Sequence, residues 1–557
     1  MRFSLLILLL SGTALQAASL PHWTANTRRT WWTRHAEPAE WQEQARKTHD
    51  MLATYHQQVG TQQAMQSAPF IQWLGHLFWL RAYPDDLHAD LQPVYRQLSL
   101  EPKLPWIFLA ALQPQDDTDR AMDILCRLYR KHPDLCRSYA SMAVAMALVW
   151  DQALPDGWPH PFVDRDAIPI GDADPVHRFE FLVHSHRTKR FLHDPRGLGV
   201  HELVFMVDSP LAFSELLTCQ KVSLRKPRNL SRLYRSVDYN YRRVSNNETI
   251  WTHEPYRIAT ILKHGGICAD QAYLVSQTGK AHGVPTILFF GQGDHGAHAW
   301  VGYLEEKGEW HFNVARYSNE HYPVGQAYHP QTRKRISDYE LAAFNHHNDR
   351  NPAFRKTRLM IDWARLNADE PFYAELVIMA RRHLPHLIQT WTMEDDWHWK
   401  KGRSLDRHVA FLKRWIEFFE QVPAAKFEGQ KRLLTLYTER KLTREAKKLE
   451  DRIIKETASE RFDLGIHLAA ESILEKAVNH QWKAAEEEFK TRMNDFRNRS
   501  GGHLFYGLLQ PYIVTCIEER RYDQARKAMQ LTRRFDGKGT VLGNDMKALG
   551  KWVSEIR

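Results

Sequence analysis

The sequence predicts an α+β protein in which a small antiparallel sheet lies between two helical regions, and three observations carry this. Helical periodicity dominates both ends of the chain, strand-like apolar runs joined by a glycine turn occur only between residues 286 and 314, and helices precede those strands rather than alternate with them. With 557 residues, and roughly 100–200 residues per domain, about three domains are expected. Apolar residues make up 43% and charged residues 25%, an ordinary globular composition that excludes disordered and collagen-like chains. A mean hydropathy of −0.54 excludes a polytopic membrane protein.

The one long apolar run, residues 5–10, follows Arg2 and leads to the small residues Ala14, Ala17 and Ala18. This is the pattern of a secretory signal cleaved near Ala17, so residues 1–17 are read as a signal peptide and the protein as secreted or periplasmic. No integral membrane span is expected once the signal is removed. The five cysteines (Cys126, Cys136, Cys219, Cys268, Cys516) are too few for a disulfide scaffold, and their odd number leaves one thiol over. Cys126 and Cys136 either pair or sit as buried helix residues.

Residues 18–171 form the first helical domain, rich in Trp, Gln, His and Ala. Residues 121–129 carry apolar side chains at helical spacing, and 141–150 read as a short buried helix. A cluster of breakers from Pro155 to Gly171 marks its end. Residues 172–350 form the α+β domain. Helices are expected near 178–192, 201–207, 211–219 and 255–263, and strands at 286–290, 299–304 and 310–314, with a turn at Lys307-Gly308.

Residues 351–557 form a C-terminal helical domain with little Gly or Pro. Trp482-x-x-Ala485-x-x-x-Phe489 aligns with Tyr522-x-x-Ala525-x-x-x-Met529 at an offset of forty, and Leu442 with Ala446 falls close to the same phase. Small-to-large spacing of this kind suits stacked helical hairpins of the tetratricopeptide type, here as an irregular repeat. The net charge of +10 is concentrated in residues 401–557, which hold 32 Lys and Arg against 23 Asp and Glu. Acids alternate with the bases, as in Arg444-Glu445-Ala446-Lys447-Lys448-Leu449-Glu450, which describes a solvated helical face and not a nucleic-acid stripe. Solubility alone accounts for this charge best; anionic cell-envelope polymers or membrane surfaces fit it better than DNA, no nucleic-acid partner is expected, and the helical region is open to a partner protein.

Residues 264–313 carry the chemistry. Gly265-Gly266 stops one helix, and Cys268 then opens another over 268–282, where the helix dipole is expected to lower the thiol pKa. His298 begins a strand 30 residues later, and Asn313 lies in the next strand. If those strands pair across Lys307-Gly308, His298 and Asn313 meet on one face, with the N-terminus of the Cys268 helix beside them. Cys268, His298 and Asn313 are thus read as nucleophile, base and orienter. Trp251, Tyr239 and Tyr241 are candidates for a substrate-groove wall. His295 competes with His298 for the base but lies in a glycine-bounded loop. Without an HExxH or CxxC pattern, no metal site is read from Asp294, His295 and His298, and no cofactor is expected.

The motifs Gly-Gly-Ile-Cys at 265–268, Gly283-Val284-Pro285, Ala297-His298-Ala299-Trp300 and Trp310-His311-Phe312-Asn313 resemble the transglutaminase-like superfamily of cysteine enzymes over about 90 residues. The resemblance implies a papain-like α+β core with a thiol–imidazole pair and usually an aspartate as third member, where this chain has Asn313. It also implies acyl transfer through an acyl-enzyme, most simply hydrolysis of amide or peptide bonds in a protein or peptide substrate of the cell envelope. A cross-linking acyltransferase and a catalytically inactive binding scaffold are the alternatives. An arylamine N-acetyltransferase, which also places a cysteine after Gly-Gly, is disfavoured by the export signal.

Overall fold

The computed structural model describes residues 20–555 apart from 173, 247, 254, 319–320, 344–350, 403, 458–460, 497–500 and 536–539. The signal segment expected at 1–17 lies outside the described residues. The chain folds as helices with one five-stranded antiparallel sheet, so the α+β class is observed. No helix among the described residues is long and apolar enough to cross a membrane.

Two compact units form, and their boundaries differ from those drawn at 171 and 350. Of the described residues, the first contains 20–112, 117–140 and 351–397. Its core is aromatic: Trp41 stacks on Tyr95 and meets Trp32 edge-on, and Trp363 from the helix Pro352–Leu366 gives its indole N–H to His56 Nδ1 at 2.9 Å. Residues 351–397 thus bury their apolar face in the first unit instead of opening a separate C-terminal domain. The second unit contains residues 113–116, 141–347 and 398–557. The breaker-rich segment expected to be a linker belongs to this unit because its backbone groups find partners there. Ile170 bridges Leu211, Phe162 O accepts from Trp251 N at 2.7 Å, and Ala167 O accepts from Tyr256 N at 2.8 Å.

Within the second unit, α1 (Val200–Val207), α2 (Phe213–Lys221), α3 (Leu230–Arg235) and α4 (Ile258–His264) precede α5 (Cys268–Ala281). The sheet comprises β1 (Thr286–Gln292), β2 (Ala297–Glu306), β3 (Glu309–Val314), β4 (Gln326–Tyr328) and β5 (Arg335–Ser337), in the order β3-β2-β1-β4-β5. Only β4 and β5 escape the sequence reading; at three residues each they are too short for alternation to show. Helix α5 packs on β1 and β2, burying Ala272, Val275, Ala299, Val301 and Tyr303 in one core. Burial of each large apolar side chain there stabilises by about 1.5–3 kcal/mol.

From α6 (Leu405–Phe418) through α7 (Pro423–Glu439), α8 (Thr443–Thr457), α9 (Phe462–Val478) and α10 (Trp482–Asp495), successive helices pack on one another. A short helix, Gly501–Leu504, follows, and α11 (Gln510–Glu518) and α12 (Tyr522–Met529) form a further pair. The repeat has a structural signature. Lys441, His480 and Arg520 take positive φ of 56–57° between paired helices. In each case the next N–H reaches back five residues, Leu442 to Tyr437 O, Gln481 to Lys476 O and Arg521 to Cys516 O. This is the Schellman ending without its usual glycine, recurring after 39 and 40 residues.

Candidate active site

Two adjacent glycines set the position of Cys268. Gly265 closes α4 with φ +70°, and a Cβ there would lie 2.4 Å from Asp238 O; a Cβ on Gly266 would lie 2.5 Å from Asp270 Cβ. Only chain without side chains passes between these groups. Gly266 N donates to Asp238 O and Gly266 O accepts from Asn240 N, which ties the start of α5 to residues 238–240.

Asp270 then fixes the helix end. Its fully buried carboxylate accepts from Ile267 N at 2.8 Å, Tyr256 OH at 2.9 Å and Arg243 Nη1 at 2.7 Å. Burial raises its pKa, with the Arg243 guanidinium opposing. Arg243 also donates to the carbonyls of Glu248 and Thr249 and lies over Trp251. Trp251 is therefore 5% exposed core, packed on Tyr256, and the structure removes it from the groove wall.

Cys268 keeps partial exposure at the first position of α5, while its sulfur is enclosed by protein. The Ala299 N–H points at the sulfur, and Tyr234 OH donates to both Cys268 O (3.3 Å) and Ala299 O (2.9 Å), pinning the helix start to β2. The thiol pKa is pushed up to about 11, first by burial and also by the Asp270 charge; the N–H groups of Ala299, Ala269 and Cys268 pull the other way and lose. The depressed pKa expected from the helix dipole is not found. A dipole effect of at most about 2 kcal/mol is smaller than the desolvation of an enclosed thiolate.

His298 is 6% exposed, next in the chain to Ala299. Its Nε2 donates to Ala315 O at 2.7 Å. Because a carbonyl only accepts, the neutral ring carries its proton on Nε2 and presents Nδ1 as the basic nitrogen. Tyr317 and Tyr322 lie nearly parallel to the imidazole, at ring-centroid distances of 4.9 and 5.4 Å. Burial raises the Tyr317 phenol pKa, and the Cys268 thiolate adds to this from a distance.

Asn313 does not take the expected place. It is exposed, and its Oδ1 accepts from Arg316 Nη1 at 3.4 Å. The sheet register gives the reason. Val301 pairs with Val314, so three further residues toward His298 lead to Tyr317, four beyond Asn313. An irregularity between Val301 and Tyr303 disturbs the alternation of β3 as well. Arg316 is anchored by Asp338 at 2.8 Å and lies over Trp300, which fixes the chain after β3.

Tyr239 is half-buried beside Cys268, whose thiolate raises its pKa after the larger effect of burial, and the 77% exposed Tyr241 meets it edge-on at 4.8 Å. His295 is exposed in the β1–β2 turn. Among the described residues, no group of three or more His, Cys, Asp or Glu stands together as metal ligands. All five cysteines are free. A cavity of about 420 Å³ lies along the other end of α5 against Trp158, Phe162, Lys280, Phe290 and Arg335, and neither Cys268 nor His298 lines it.

Ala315, Tyr317 and Tyr322 are the residues that sequence reasoning missed. Their signal was the register itself, since the tyrosine-bearing stretch follows β3 at the level of His298. Compared with protein-family models, with curated proteins and with solved structures, the chain gives no match.

Proposed function

We propose that the protein is an exported, Cys268-dependent acyl-transfer enzyme of transglutaminase-like type that hydrolyses amide or peptide bonds in a protein or peptide substrate. The observation that supports this best is that Tyr234 OH ties Cys268 O to Ala299 O, next in the chain to His298, whose imidazole tautomer is set by the Ala315 carbonyl. With its pKa near 11 the resting thiol is neutral, so the proton leaves as bonding begins. His298 Nδ1 takes the thiol proton while sulfur forms a bond to the carbonyl carbon, and the carbonyl oxygen becomes an oxyanion. Collapse expels the amine, which takes that proton from His298. Water then gives a proton to His298 as it attacks the thioester, releasing a carboxylic acid and restoring the thiol. Of the groups around the sulfur, the peptide N–H groups of Cys268 and Ala269 at the start of α5 are donors suited to such an oxyanion.

The raised thiol pKa favours a second reading, in which the same core only binds and Cys268 is inert. Mass spectrometry after exposure to p-nitrophenyl acetate separates the two. The enzyme reading expects an acetyl adduct on Cys268 that forms slowly or not at all in His298→Ala, and an unmodified wild-type Cys268 refutes it.

A further inference from the structure

The turn joining β1 to β2, just before His298, is held by the C-terminal helices. Gly293 N and Gly296 O close the turn at 2.9 Å. Gly502, in the short helix Gly501–Leu504, donates its N–H to Asp294 O at 3.3 Å. A Cβ on Gly502 would come within 2.3 Å of Gly293 O and 2.4 Å of Gln292 Nε2, so the two backbones are in direct contact. His503 beside it is 8% exposed, donates a ring N–H to the Gln292 carbonyl and packs edge-on to Phe462 of α9. On the other side of the turn, the Asp294 carboxylate meets His321 Nδ1 at 2.6 Å. His321 precedes Tyr322, one of the two rings lying against His298, in the chain that follows the Ala315 carbonyl. A continuous path of contacts therefore runs from α9 through His503 and Gly502 to the turn, and through Asp294 and His321 to the imidazole.

We propose that Gly502 and His503 are positioning residues for His298, so that the C-terminal helical array completes the acyl-transfer site instead of serving only to bind partners. This rests on the reading of Cys268 and His298 as an acyl-transfer pair. Its physical content is the seating of one turn. Ala297, the ladder partner of Gln292, opens β2 one residue before His298, so the seat of the turn sets where the strand carrying the imidazole begins. A shift of the turn would move the imidazole against the thiol, and small misplacements of reacting groups cost orders of magnitude in rate.

The test uses the full chain with Gly502→Ala, His503→Ala, His503→Gln and Asp294→Asn. Two readings are taken: Cys268 acetylation by p-nitrophenyl acetate across pH, and hydrogen exchange of the peptides covering 290–300 and 315–322. Gly502→Ala and His503→Ala should slow acetylation about tenfold or more, change its pH profile and speed exchange in both peptides. His503→Gln, which keeps a donor toward Gln292 O, should restore most of the rate. Asp294→Asn removes the carboxylate charge that faces the exposed His321 and is felt by His503, while keeping the size of the side chain, and it should slow acetylation in the same direction by less. Acetylation matching wild type in the folded variants overturns the proposal, whether or not exchange changes, and if the Gly502 and His503 variants fail to fold, an unchanged Asp294→Asn overturns it. No acetylation of wild-type Cys268 refutes the acyl-transfer reading instead, and exchange then decides by itself whether the array holds the turn.

Discussion

The Nε2 of His298 lies 2.7 Å from the main-chain carbonyl of Ala315, and this contact takes the place sought in the Asn313 amide. The two acceptors do the same geometric work, because each fixes the imidazole tautomer and ring plane without a full charge. They differ in how they are built. Ala315 has φ +66°, in the left-handed region where a Cβ is disfavoured. Its carbonyl is aimed by the backbone, while Arg316 holds the following residue to Asp338 and Tyr322 O.

Substitution at 313 should therefore be silent. Asn313→Asp and Asn313→Ala should leave the pH profile of Cys268 acetylation within about twofold of wild type, as for surface changes away from a site. Ala315→Val puts a β-branched residue at positive φ and should slow acetylation about tenfold or more by tilting the carbonyl. Ala315→Gly, at ease with that φ, should keep the rate. A strong effect at 313 with none at 315 would return the orienting role to the amide.

Most of the α5–β3 framework was legible because each element carries its own local signal. Gly265-Gly266 before Cys268, Gly283 after the helix, three apolar runs and Lys307-Gly308 each match an observed boundary. The pairing register is carried by the turn and not by the residues around Asn313. With Lys307-Gly308 as a two-residue turn Glu306 faces Glu309, and counting back from there sets Tyr317 opposite His298, since the two shifts in the β2–β3 ladder cancel before Val301 meets Val314. The thiol pKa was hidden for a related reason: the helix dipole is readable from position in the chain, whereas burial of the thiol depends on chain brought in from elsewhere, Tyr234 among it, whose OH bonds Cys268 O. The hidden domain boundaries follow the same rule, since the partners of residues 155–169 lie 40 to 100 residues away.

Asp270 is the residue on which the helix start depends. Asp270→Ala strips Arg243 of its carboxylate, Ile267 N–H of its cap and Tyr256 OH of its acceptor, all buried. Breaking one side of such a pair costs about 3–5 kcal/mol, read as a lower urea midpoint. Asp270→Asn should cost less. Removing the charge that raises the Cys268 pKa should also speed its alkylation in the folded Asn variant. Equal midpoints for all three proteins would show that Arg243 finds other acceptors.

Three buried histidines, with the half-buried His329, make the fold acid-sensitive. Burial lowers the pKa of His56 to about 4 and of His76, His160 and His329 to about 3. Unfolding returns each to about 6.5. Between these values the unfolded chain binds protons that the folded chain refuses, so the stability is fully present above pH 6.5 and falls as the pH drops toward 4 and 3. Each group contributes a slope of about 1.4 kcal/mol per pH unit there. Urea midpoints measured from pH 7.5 to 4.5 should fall steadily, and a flat series would mean that these imidazoles are protonated in the folded state.

The last prediction separates the thiol's own acidity from its chemistry with His298. Iodoacetamide reacts with thiolate, so a pKa near 11 makes the alkylation rate of Cys268 climb about tenfold per pH unit from pH 7 toward 10. The remaining cysteines are buried with raised pKa values, and Cys268 should label first. Acetylation by p-nitrophenyl acetate follows a different law, because His298 takes the proton as the S–C bond forms and no free thiolate need accumulate. Its rate should level off at lower pH than alkylation does. In His298→Ala the base is gone, so acetylation near neutral pH should slow and its profile should shift to higher pH until it coincides with that of alkylation. Coincident profiles already in the wild-type protein would show that the imidazole does not reach the thiol, and would leave Cys268 an ordinary enclosed cysteine.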